Sequence, residues 1–255
     1  MPQVIFEEIK LSWEPFWEDD YMNYFSYYYL SNYSYLVFVL PFVIVSLIAS
    51  AKVNSSFKKF SSVYSKRGLT GAQAAFEILR FYGITNVKIE RVSGNLTDHY
   101  DPKANVIRLS DKVYNSTSVA SIGVACHEAG HAAQYAENYL PIKLRQFVFP
   151  LASFGSRLGF PLAIIGFFLN FEPLAIAGII FFAFAVAFQF ITLPVEFNAS
   201  KRALQVIGDT NILDTDEKDG AKKVLTAAAM TYVASLAVSI GNLLRLIFIV
   251  NRRRK

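Results

Sequence analysis

Two histidines four residues apart, His127 and His131, enclose a glutamate in the run His127-Glu128-Ala129-Gly130-His131. On an α-helix, residues i and i+4 share a face, so the two imidazoles can grip one metal ion. Glu128 is rotated by about 100° from His127, which lets its carboxylate reach a water on that metal without ligating the metal itself. Zinc suits the arrangement, because two imidazoles and a carboxylate leave a fourth tetrahedral position open to water. The metal lowers the pKa of such a water to about 7, and the carboxylate takes its proton as it attacks a carbonyl. A packed helix with ordinary hydrogen-bonded histidines would carry the same five residues. Two features favour the metal. The chain has three histidines, and two stand in this pattern. Ala125, Ala129, Gly130, Ala132 and Ala133 are small enough to let other elements approach the same helix closely.

A third ligand is sought by elimination. Cys126, the single cysteine, is one step from His127 on a different helix face and reads as a small buried apolar residue. His99 falls in an expected hairpin turn and is the next candidate after Glu196. Glu196 follows Pro194 and opens a helical pattern through Phe197, the alanines and Leu204. A carboxylate so close to an apolar run is costly without a partner. Zinc would be that partner; a solvated glutamate at a helix start, favoured by the dipole, is the alternative. A peptide-hydrolysis site also needs a donor for the developing oxyanion. His99 and Tyr100 are candidates there, with Asn198 and Tyr232 weaker ones.

The elements that must position these groups follow from composition. The 255 residues are 53% hydrophobic and 18% charged, with a mean hydropathy of +0.32 and a net charge of +5. That excludes a disordered chain and a disulfide-stapled mini-protein. Residues 1–35 read as an acidic, Tyr-rich N-terminal extension, with six acids against Lys10 over residues 1–34, and no cleaved signal is read there. A first spanning helix is expected over 36–51, extended upstream by tyrosines and followed by Lys52, Lys58 and Lys59. Residues 51–145 carry thirteen Lys/Arg against seven Asp/Glu. No nucleic-acid-reading motif accompanies them, and the positive-inside rule accounts for the excess, so nucleic acid is not an expected partner.

Residues 52–145 read as a small α+β unit in the cytoplasm. Thr70 caps a helix that Gly83 ends, Val87, Ile89 and Val92 alternate as in a strand, and Val106–Leu109 forms a second one. That second strand could take an extended peptide by edge pairing, or could be a covered core strand. Thr117–Ala136 is helical and carries His127 and Glu128. Residues 146–193 form an expected transmembrane hairpin, irregular at first because Pro150, Gly155, Arg157, Gly159 and Pro161 interrupt it. Arg157, a charge at membrane depth, should face protein or water. Residues 194–226 are expected as a cytoplasmic helix bearing Glu196, and 227–255 as a C-terminal hydrophobic helix with a basic tail. Alternation would put that tail outside, against the positive-inside rule, so its side is open.

Residues 93–102 (SGNLTDHYDP), Val119 to Gln134 around the HEAGH core, and residues 193–202 (LPVEFNASKR) resemble the neutral zinc metallopeptidase family of prokaryotic membrane proteins, the YugP-like group. The resemblance runs from about residue 36 to the end. It implies a membrane-embedded, zinc-dependent peptidase with ligands at His127 and His131. A more distant similarity is to HtpX-type and prenyl-protein-processing metallopeptidases, which place a Glu-x-x-Ala-Asp helix after two spans that follow HExxH. Glu196 and Ala199 match that helix, but Ser200 stands where Asp is usual. Ser200 can still hydrogen-bond to a ligating histidine without bringing a charge.

The expectation is therefore a mainly α-helical multi-pass membrane protein of the cell membrane. A small zincin-like cytoplasmic unit with its HExxH helix packs on three or four transmembrane helices. One zinc per chain sits on His127, His131 and Glu196 in a gluzincin-like set, with Glu128 as general base. The expected partners are the lipid bilayer and a peptide or membrane-protein substrate; oligomeric state is not read. The competing readings are a non-catalytic zinc-stabilised scaffold or chaperone-like protein, and a zinc hydrolase of a non-peptide amide or ester.

Overall fold

The computed structural model describes residues 33–94 and 97–252. Nearly all of the expected acidic extension and the last three residues of the basic tail lie outside that range.

Helix α1 spans Leu40–Ser61, continuing a helical stretch that starts at Tyr33. It runs past the expected span, through Lys52, Lys58 and Lys59. Lysine is a good helix former, and in the last turn it complements the carbonyl end of the helix. Helix α2, Gly71–Phe81, opens on a capping box: Gln73 N donates to Thr70 Oγ1 at 3.2 Å, and Thr70 N donates to Gln73 Oε1 at 2.9 Å. Gly83, at φ +65°, ends the turn that follows.

Three strands follow, β1 (Lys88–Val92), β2 (His99–Asp101) and β3 (Val106–Ser110), in the order β1-β3-β2. β1 is parallel to β3 and β2 is antiparallel to it. The edge pairing envisaged for Val106–Leu109 is therefore not available: β3 is central and bonded on both sides. Its residues say why. Val106, Ile107 and Leu109 are buried, whereas β1 and β2 carry the charges that edge strands tolerate. His99 likewise lies in a strand and not in a turn; the turn is Pro102–Asn105, where Asn105 takes φ +52°.

A short helix α3, Asp111–Tyr114, leads to α4, Val119–Ala136. Ser118 caps α4 by accepting from Ser121 N at 3.2 Å. Most of α4 is buried, from Val119 through Gln134. The irregular region then proves continuous: α5 (Leu140–Phe154), a π-helical turn (Gly155–Gly159) and α6 (Phe160–Phe168) make one rod with Pro150 inside it. Arg157 is exposed and lines a cleft that also touches Ser153, Ser156 and Gln189. The two glycines decide this. A Cβ at Gly155 would stand 2.0 Å from Phe181 O, and one at Gly159 2.6 Å from Phe182 N. Both face the next helix closely, so the residue midway between them is turned outward.

Helix α7 runs unbroken from Glu172 to Asp209, with Pro194 inside it. The separate helix expected after Pro194 does not exist. Proline removes one main-chain bond and bends a helix. Here Phe149 and Gly166 pack on the segment before it and Gly130 on the segment after it, and that packing keeps the helix unbroken. Helix α8, Thr215–Arg252, starts well before the expected Ala227.

Among the described residues, four helical segments are long and apolar enough to cross a membrane: Leu40–Ser61, Leu140–Phe168, Glu172–Asp209 and Thr215–Asn251. α1 runs antiparallel to α8, since Phe38 stacks near Phe248 at 5.4 Å while a Cβ on Gly220 would meet Phe60 at 2.8 Å. Arg245 donates to Ser34 Oγ at 3.3 Å and lies 5.5 Å over the Tyr35 ring. Both described ends of the chain therefore meet at one end of the bundle. The core at the opposite end joins Ile78, Ile107, Leu109 and Ile122 to Ala203, Ile207, Ile212 and Leu225. The lower turns of α7 and α8 thus share one hydrophobic core with α2, the sheet and α4.

Candidate metal centre

The HEAGH residues lie on the buried helix α4, and the helix period puts the His127 and His131 rings edge to face, 4.7 Å apart between centroids. Gly130 lets α7 come in beside them. A Cβ on Gly130 would lie 2.6 Å from Ala199 O, so only glycine permits this contact. That approach delivers Glu196, whose Oε2 stands 3.3 Å from His127 Nε2 and 3.5 Å from His131 Nε2. One donor atom from each of the three residues lies within 4.8 Å of the others.

The outer ring nitrogens are engaged. His127 Nδ1 is 3.1 Å from Ser200 Oγ, and His131 Nδ1 is 3.0 Å from Gln134 Oε1. Gln134 Nε2 donates to Val195 O at 2.8 Å and to Asn198 Oδ1 at 3.0 Å, which commits its amide hydrogens. Its Oε1 is then an acceptor, so His131 carries its proton on Nδ1 and turns an Nε2 lone pair toward Glu196. On Glu196, Oε1 is 3.3 Å from Arg145 Nη1, while Oε2 is buried without a hydrogen-bond partner. Burial disfavours the charged form of His131, but the Glu196 and Glu128 carboxylates and Gln134 outweigh it and raise its pKa. The cluster is electrostatically a cation site.

Glu128 is buried, and its Oε2 accepts from the main-chain N–H of Tyr100 at 3.0 Å. It lines, with the three donors, a cavity of about 640 Å³ that also touches His99, Tyr135, Arg145 and Tyr232. Of the other residues singled out in the sequence, His99 is exposed on the cavity wall with Nδ1 2.7 Å from Thr97 O, outside the three-donor group. The Tyr100 hydroxyl is turned away to Asn105 Oδ1 at 3.2 Å, so this residue meets Glu128 by its backbone alone. Asn198 faces Gln134 and Arg202, not the histidines. Cys126 is wholly buried, and burial pushes its thiol pKa up. Gln134 and Arg145 were not found from sequence. Gln134 has one local signal, an amide three residues after His131 on the same helix; Arg145 has none.

Residues 35–251 match the family described as "Putative neutral zinc metallopeptidase". The chain belongs to that family. It is 47% identical over 205 residues to a Bacillus subtilis (strain 168) protein named "Putative membrane protease YugP", covering 80% of this chain and 91% of that protein. No solved structure matches the chain. The family description implies zinc, and the donor set can be tested for it. Tetrahedral zinc with bonds of about 2.0–2.2 Å separates its ligand atoms by about 3.4 Å. The distances of 3.3 and 3.5 Å from Glu196 Oε2 to the two imidazole nitrogens meet that spacing. The orphaned Oε2 between them is the atom a cation would satisfy. The residues fit the ion the family implies.

Proposed function

We propose that this family member is a membrane-embedded zinc endopeptidase, with one zinc held by His127, His131 and Glu196 and with Glu128 as its general base. The observation that carries this reading is the buried Glu196 Oε2, unbonded and set between two Nε2 atoms beside a glutamate in an open cavity. Zinc bound there supplies an electrophile that acidifies water and polarises a peptide carbonyl. Ser200 and Gln134 hold the imidazoles in orientation, and Gln134 sets the His131 tautomer. Arg145 engages Glu196 Oε1, which leaves Oε2 as the donor.

Glu128 is anchored through one oxygen by the Tyr100 amide, so its other oxygen takes the proton and returns it to the leaving nitrogen. His99 and the Tyr232 hydroxyl, both on the cavity wall, are the candidate oxyanion donors. β2 is an edge strand whose Tyr100 N–H points away from β3 toward Glu128, and an extended peptide aligned along that edge would lie over the histidines. A structural zinc site is closed by four protein ligands. The three-donor group in an open cavity disfavours the scaffold reading.

The end of the bundle bearing the cavity also carries Lys52, Lys58, Lys59, Lys222 and Lys223, and the positive-inside rule makes these the support for a site at the cytoplasmic face. The test is zinc content and cleavage of unfolded casein by detergent-purified protein. Wild type should hold one zinc and cleave. His131→Ala and Glu196→Ala should lose both, and Glu128→Gln should keep zinc while activity falls by about 10³-fold or more. Full activity in Glu128→Gln would overturn the proposal.

A further inference from the structure

A second cavity, of about 470 Å³, lies between α1 and α8. Lys52 and Lys59 of α1 and Lys222 and Lys223 of α8 line it, together with the hydroxyl side chains of Ser56 and Thr226. The helix period explains the convergence: 52, 56 and 59 share one face of α1, and 222/223, 226 and 230 share one face of α8. Among the described residues none of the four ammonium groups has a carboxylate within 4.0 Å. Asp219 is the one acid on the cavity wall. The hydroxyls of Ser61, Thr192 and Thr210 turn back onto carbonyls of their own helices, but those of Ser56 and Thr226 bond to none of the described residues. Four cations and two uncommitted hydroxyls thus face one space, an arrangement that repels itself until an anion with several acceptor oxygens enters.

We infer that this cavity binds the phosphate headgroup of an anionic phospholipid. Its place on the helices selects a lipid over a free phosphate. Lys52 is the first charge after the apolar run of α1, and one turn before it Ile48 is 63% exposed. Across the groove Met230, 44% exposed, continues the apolar side. The phosphate sits among the lysines, as in other basic clefts between membrane helices, and the acyl chains run along Ile48 and Met230. Two residues beyond Met230, α8 carries Tyr232 to the wall of the central cavity, so the lipid braces a helix that lines the metal centre. This site is independent of the peptidase reading.

The test titrates the full-length, detergent-purified protein with phosphatidylglycerol or phosphatidylcholine and follows the first bound lipid by native mass spectrometry. Phosphatidylglycerol should bind about tenfold or more tighter, and K52Q/K222Q/K223Q should weaken it by about fivefold per lysine removed. The single variants Lys52→Gln and Lys222→Gln keep the experiment readable should the triple variant misfold. The control K88Q/K112Q/K201Q removes the same charge from exposed positions outside the cavity and should leave binding unchanged. An equal loss in that control would reduce the effect to a diffuse surface field and overturn the site. Equal affinity for the two lipids would do the same. Displacement by inorganic phosphate at concentrations comparable to the lipid would assign the cavity to a soluble anion and overturn the lipid.

Discussion

Ser200 stands where the Glu-x-x-Ala-Asp pattern noted in the sequence has its Asp, and its hydroxyl lies 3.1 Å from His127 Nδ1. A neutral partner orients the imidazole but makes it a weaker base than a carboxylate would. Ser200→Ala should lower zinc affinity by about 10- to 100-fold, measured by chelator competition, and Ser200→Asp should raise it above wild type. A Ser200→Ala protein with unchanged affinity would show that the contact orients nothing. Gln134 makes a sharper demand, because its amide bonds three groups at once. Gln134→Leu leaves the buried His131 Nδ1–H without its acceptor, and such a group costs about 1–3 kcal/mol. It should lower both the melting temperature and the zinc affinity. At this scale the sequence disclosed the paired histidines and Glu128 through their spacing, and Glu196 through its position beside an apolar run. Gln134 and Arg145 stayed hidden because their partners lie on α7, far along the chain.

At the scale of elements, the contact of α4 with α7 decides whether a metal centre exists. Gly130 stands inside the HEAGH run for packing, with no room for a methyl against Ala199 O. Gly130→Ala should force the helices apart, cost about 1–3 kcal/mol of stability, and separate Glu196 from the histidines. Its signature would be zinc loss with the helical circular dichroism retained; stoichiometric zinc in this variant would refute the packing argument. Thr70→Ala, which removes the cap of α2 well away from the cavity, should cost about 1 kcal/mol and leave zinc bound. Local signals were reliable where they act locally: the cap at Thr70 and the stop at Gly83 both follow from neighbours in sequence. Pro194 misled because proline's penalty is local, whereas the packing that holds α7 together on both sides of it is not.

For the whole molecule, the four long helices bring both described ends of the chain to one end of the bundle and the metal centre to the other. The four spans leave Arg245 and the end of α8 at the side opposite the metal centre, so the charge of the tail still opposes simple alternation. The lysines at the metal-centre end are the ground on which that end is proposed as cytoplasmic. Cysteine labelling tests this cleanly, since Cys126 is wholly buried and should not react. Leu169→Cys, at the exposed turn between α6 and α7, should be labelled by a membrane-impermeant maleimide in intact cells. Lys103→Cys, in the β2–β3 turn, should be labelled only after permeabilisation. The reverse pattern would invert the topology.

The sequence by itself determined what depends on period and composition. Two imidazoles fall on one helix face because α-helices repeat every 3.6 residues, and apolar runs of sufficient length are membrane helices because the bilayer core has a set thickness. The tertiary structure alone decided how closely Glu196 meets those imidazoles, which strand is central, and which amide holds Glu128. Each of these is a contact between segments remote in the chain. Such contacts arise when small residues such as Gly130 let two helices close on each other, and no local repeat records where the facing helix will lie.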